Sequence, residues 1–202
     1  MSLATVSALV AVLCVLIYFG LQVQMHRAPT VYAPLRNAAS DYGVGPTARS
    51  FRIASLVGTA ALLALAAALA GSGVYGWRGG VVAWLLVAAV GRIGVAVFPT
   101  DLPQARRTAT GRLHLLSAIV QFVALITVVT SDVAGRLGVT GVLAALLHVL
   151  GWVAVVSLVG VIVALLLPVA RRSFGLVERG FLFSVNAWLG LAAVAVLLRA
   201  GS

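Results

Sequence analysis

Asp41, Asp101 and His114 are the residues of this chain whose types and placement suit chemistry. Only four acidic side chains and three histidines occur in 202 residues, beside 14 basic residues that are all arginine. Asp101 follows Phe98-Pro99-Thr100 at the end of one long apolar run, and His114 stands at the head of the next. Asp41 follows Ser40 in the longest polar connection, roughly residues 25–50. Two carboxylates and an imidazole at one depth would bind a divalent metal and activate water, or serve directly as acid and base. These three are the candidate catalytic residues and, if a divalent metal is the cofactor, its ligands.

From His114, Ser117 and Gln121 follow at i+3 and i+7, one stripe of an α-helix. Such a stripe inside an apolar span turns into a bundle, because polar groups are costly against lipid. Arg92 lies within a third apolar run, about 9 Å from its Phe98 end at ~1.5 Å per residue. A charge left unpaired there costs at least ~2.5 kcal/mol, so Asp101 or Asp41 is its expected partner. Ser40, Arg92, Ser117 and Gln121 complete the candidate site as ligand-binding groups. Each residue also has a structural reading: a turn cap for Asp101, an Asx turn beside Gly43 for Asp41, and an ion pair that fixes helix packing for Arg92. Convergence on one pocket separates the two readings.

The elements that must position these groups are apolar spans. Hydrophobic residues make up 62% of the sequence and charged residues 9%, a balance no soluble domain of this length can bury. A spanning helix needs about 20 mostly apolar residues. Six such stretches fit, near residues 3–24, 53–70, 81–98, 113–130, 139–169 and 181–198. The fold class is therefore all-α, a polytopic membrane bundle of six transmembrane helices forming a single domain over 1–202. The fifth run exceeds what a bilayer requires, which implies tilt or an interfacial end. Small residues in the second run let neighbouring helices approach closely. His148 reads as a satisfied bundle histidine, and Ser184 and Asn186 as groups that bond across helices. The lone Cys14 excludes a disulfide within the chain, and the start of the sequence lacks the basic region of a cleavable signal peptide.

The net charge of +10 does not point to nucleic acid, since the arginines lie in the connections, where they suit anionic lipid headgroups. Ten of them fall in the first, third and fifth connections, and three in or beyond the others. The positive-inside rule then places both termini outside the cytoplasm of a cell-membrane protein.

The stretch Tyr32-x-Pro34-Leu35…Ser40-Asp41-x-Gly43, with Gly91…Phe98-Pro99-x-Asp101 and the downstream His114, resembles the bacterial and archaeal domain of unknown function 998 family. The resemblance covers roughly residues 8–200. It implies a six-span membrane protein and no particular chemistry.

Two functions fit these residues. One is a multi-pass protein that binds lipid or a small amphipathic ligand at a polar Asp/His/Arg site on one membrane face, with membrane lipids as its partners. The other is a membrane-embedded hydrolase or lipid-modifying enzyme, metal-dependent or not, that uses the same site. The second is loosely similar to the ceramidase and adiponectin-receptor superfamily, whose seven spans and paired histidines this chain lacks.

Overall fold

The computed structural model describes residues 1–102 and 105–200, so the last two positions of the expected domain lie outside the described residues. Six long helices are apolar enough to cross a membrane: α1 (Leu3–Arg27), α2 (Ala48–Gly71), α3 (Gly80–Val97), α4 (Ala109–Val129), α6 (Gly141–Leu166) and α7 (Phe174–Ala200). A short helix, α5 (Val133–Leu137), lies between α4 and α6. The Asp132 carboxylate caps α5 by accepting from Gly135 N at 2.9 Å.

Four boundaries differ from the sequence expectation for identifiable reasons. The long fifth run does not continue to residue 169. Leu167 turns extended ahead of Pro168, as a residue before proline tends to, and a 3₁₀ turn over Pro168–Ser173 joins it to the next span. The sixth span begins at Phe174, seven residues before the expected start, and so carries Glu178 and Arg179 inside the helix. The second begins at Ala48. The fourth begins at Ala109, after Thr108 caps it by accepting from Gly111 N.

The packing order around the bundle is α4, α3, α2, α1, α7, α6. Each helix in that order rests on the next, but the two ends of the series, α4 and α6, hardly pack against each other. They meet near Gly151, where a Cβ would come within 2.9 Å of the Val129 carbonyl oxygen. The main core joins all six spans through small and branched residues, α6 through Leu147 and Ala154, with Phe181 and Trp188 of α7 fully enclosed. The ring is therefore closed everywhere except along the seam between α4 and α6.

Candidate functional site

The connection between α1 and α2 is an ordered strap laid over one end of the bundle. It contains two 3₁₀ turns, Ala39–Gly43 and Gly45–Thr47. Arg179, buried in the first turns of α7, holds it down. Its Nη1 donates to the carbonyls of Pro34 at 2.6 Å and Asn37 at 2.7 Å, and to Gly175 O of its own helix at 3.1 Å. Its Nε donates to His26 Nε2 at 2.7 Å, so His26 must carry its proton on Nδ1, which donates to Gln22 O. The guanidinium also lies 5.4 Å from the centroid of the Tyr42 ring. Glu178, one residue earlier, accepts from Ala39 N at 2.5 Å. Neither Glu178 nor Arg179 was among the residues expected at the site, because a charged pair close to Arg171-Arg172 reads as connection. The one available signal was the apolar segment Phe174…Leu176-Val177 upstream of the pair.

Beneath the strap lies a cavity of about 340 Å³. All six spans and the strap contribute to its wall. Its polar groups include Gln22, Ser55, Arg92, His114, Gln121 and Glu178. Ile119 and Val123 of α4 and Leu158 and Ile162 of α6 give it an apolar flank along the open seam. Ile119 and Ile162 are each about half exposed there, at 51% and 49%.

Of the expected site residues, the cavity brings together Ser40, Arg92, His114 and Gln121. His114 Nδ1 donates to Phe98 O at 2.8 Å, which ties the head of α4 to the end of α3 and leaves Nε2 as its other polar atom. Gln121 Oε1 is buried without a hydrogen-bond partner. Ser117 lies outside the cavity wall. It packs against Gly94 of α3, where its hydroxyl occupies the space a Cβ would need.

The two aspartates do not line the cavity with His114. Asp41 Oδ2 accepts from Asn37 Nδ2 and Ala38 N, both at 3.1 Å, which closes the turn at the start of the strap's first 3₁₀ segment. Burial raises its carboxyl above the ordinary aspartate value, with the Asn37 and Ala38 hydrogen bonds acting in the opposite direction. Asp101 accepts from Thr108 N and Thr108 Oγ1, both at 2.8 Å. Those two bonds hold its carboxyl below the ordinary value. Asp101 thus holds a turn, as its structural reading has it, whereas Asp41 accepts from behind, at Asn37 and Ala38, and not from Gly43 ahead as an Asx turn would. Among the described residues no three His, Cys, Asp or Glu side chains are grouped to hold a metal ion. The expected shared centre of Asp41, Asp101 and His114 is not assembled. Its carboxylates are satisfied locally, by groups three to seven residues away, and His114 by Phe98 O.

The Arg92 partner also differs from the expectation. No carboxylate stands by it. Nη1 donates to Asn186 Oδ1 of α7 at 3.2 Å, and the guanidinium carbon lies 5.5 Å from the centroid of the Tyr18 ring. Asn186 therefore bonds across helices as expected and also back to Leu182 O, whereas Ser184 bonds only to Phe181 O of its own helix.

These features define a polytopic helical membrane protein whose six spans surround a cavity with a polar head and an apolar flank. The family model described as Protein of unknown function (DUF998) matches residues 7–195, and the chain belongs to that family. No curated protein and no solved structure matches it.

Proposed function

We propose that this protein binds an amphipathic, lipid-like molecule, with the ligand's head among the polar groups under the strap and its tail along the seam between α4 and α6. The observation that carries this reading is the cavity itself. It has hydrogen-bonding side chains at the strap end and aliphatic ones where the helix ring stays open. Ligand cavities range from about 300 to 1,000 Å³, with mostly apolar walls and a few placed polar groups. A lateral opening suits a ligand that arrives from the bilayer.

Hydrolysis has less support than binding. Activation of water by a carboxylate and His114 needs both groups on one space, and Asp41 and Asp101, bonded to Asn37, Ala38 and Thr108, lie outside the wall of the cavity that His114 lines.

Filling the cavity tests the binding reading. Ala118 lines it from α4, and tryptophan there occupies the space a tail would take. In Ala118→Trp, the lipid that survives purification in mild detergent, identified by mass spectrometry, is expected to fall at least about tenfold relative to the parent. Equal retention of the same lipid by both proteins defeats the proposal.

The strap end carries nine exposed or half-exposed arginines, against three at the other end, once Arg179 is assigned to α7. By the positive-inside rule this supports a cell-membrane protein whose strap faces the cytoplasm and whose termini lie outside. A reporter that fluoresces only in the cytoplasm, fused after Ser202, is expected to stay dark. Bright fusions reverse the orientation.

A further inference from the structure

We infer that the amphiphile in this cavity has an anionic head, a carboxylate or a phosphate monoester, and that Arg92 is its seat. The inference rests on the binding reading above and adds the chemical class of the head. It starts from a charge without a counterion. Arg92 is 3% exposed and lines the cavity, and a cation at such depth is normally paired or directed into a water-filled or ligand-filled space.

The four acids of the chain are all used elsewhere. Asp41 closes the strap turn. Asp101 is held by Thr108, and Asp132 caps α5. Glu178 accepts from the Ala39 amide. The groups that do touch Arg92 are neutral: the Asn186 amide and the face of Tyr18. A structural ion pair therefore does not explain this arginine.

A guanidinium presents five donors in a planar fork that matches carboxylate and phosphate oxygens, and the Asn186 contact involves only Nη1. Ser55 and His114 border the same space and can add hydrogen bonds to an oxyanion or to its hydroxyl. Gln121 brings a carbonyl that lacks a donor, which a hydroxyl next to the anion would supply. Glu178 is already committed to the Ala39 amide, so the anion belongs at the Arg92 end, with the tail leaving along the α4–α6 seam.

The test uses the full chain in neutral detergent, freed of retained lipid, and titrations read by native mass spectrometry. The probes are oleate, oleoyl lysophosphatidate, the neutral amphiphile monoolein, and inorganic phosphate alone. Oleate and lysophosphatidate are expected to bind at least about tenfold more tightly than monoolein, the scale of one charge-assisted contact. Arg92→Gln should abolish that margin. Because Arg92→Gln also loses a buried contact on which folding draws, Asn186→Asp provides the second variant. It places a carboxylate where the amide oxygen now meets Nη1, and so supplies Arg92 with an internal counterion. It should remove the preference for anionic heads while leaving monoolein binding intact.

Equal binding of monoolein and the anionic probes by the parent overturns the inference and leaves the binding reading standing. Retention of the anionic margin in Asn186→Asp also overturns it. If phosphate alone binds as tightly as lysophosphatidate, the site belongs to a soluble anion and not to an amphiphile. Failure of all four probes overturns both the inference and the reading on which it rests.

Discussion

Replacing Arg179 with alanine is expected to release the strap between α1 and α2 and to destabilise the whole protein. One guanidinium serves the carbonyls of Pro34, Asn37 and Gly175 and the ring of His26. Truncation removes the side-chain donor from the part-buried Pro34 and Asn37 carbonyls and the His26 ring, and an orphan of this kind costs up to about 1–3 kcal/mol. Partial relaxation and water entry reduce the sum, so a net loss of about 3 kcal/mol is expected, the scale at which removing one member of a buried charged network is felt. Thermal unfolding in detergent would measure the loss, and limited proteolysis would locate it, with new cleavage inside residues 28–47. Gly175→Val offers an independent route to the same state with Arg179 intact. A Cβ there would intrude on the Pro34 and Asn37 carbonyl oxygens and come within 2.9 Å of Arg179 Nη1, so the strap must part from its latch even though the arginine is present. If both variants keep the parental melting temperature and a protected strap, Arg179 is not what holds the connection down.

The latch was hidden in the sequence for the same reason that makes it effective. Glu178 and Arg179 are two charges next to an arginine-rich turn, and charge density of that kind normally marks water. They can lie inside α7 because the strap brings backbone groups to them from about 140 residues away, and no local pattern reports such a contact. The six spans, by contrast, were legible because bilayer solvation demands long apolar runs irrespective of packing.

Arg92 shows an intermediate case. The cost of an unpaired charge implied a carboxylate partner, Asp101 or Asp41, whereas the partner is the neutral Asn186, legible on its own only as a group that bonds across helices. What the sequence lacked was the helix order that sets α3 and α7 within reach of each other. The aspartates were over-read for an energetic reason. Thr108 lies seven residues from Asp101, and Ala38 three from Asp41, so local donors capture the carboxylates at little cost in chain entropy. A distant shared centre would have had to outbid them.

Gly58 is where the close approach of helices and the buried charge become the same requirement. This residue of α2 lies directly against Arg92 of α3, and a Cβ built on it would occupy the position of Nη1. The missing side chain is thus the floor on which the guanidinium rests while it reaches Asn186. Gly58→Val is expected to push the guanidinium off Asn186 and to part α2 from α3. Overpacking a tight core costs about 1–3 kcal/mol, and displacing a buried charge from its polar contact brings the expected loss to about 3 kcal/mol or more. Stability alone would not separate this from ordinary crowding of two helices, so the informative measurement is a double-mutant cycle with Arg92→Leu. Leucine lacks the guanidinium that a Cβ at residue 58 would strike. If the glycine is present to seat the arginine, the penalty of Gly58→Val should shrink by at least about 1 kcal/mol in the Arg92→Leu background, beyond the few tenths expected of independent sites. Strict additivity would mean that the valine clashes with the α2–α3 backbones instead. The glycine would then be serving helix packing, and the arginine would owe its position to Asn186 and Tyr18 alone.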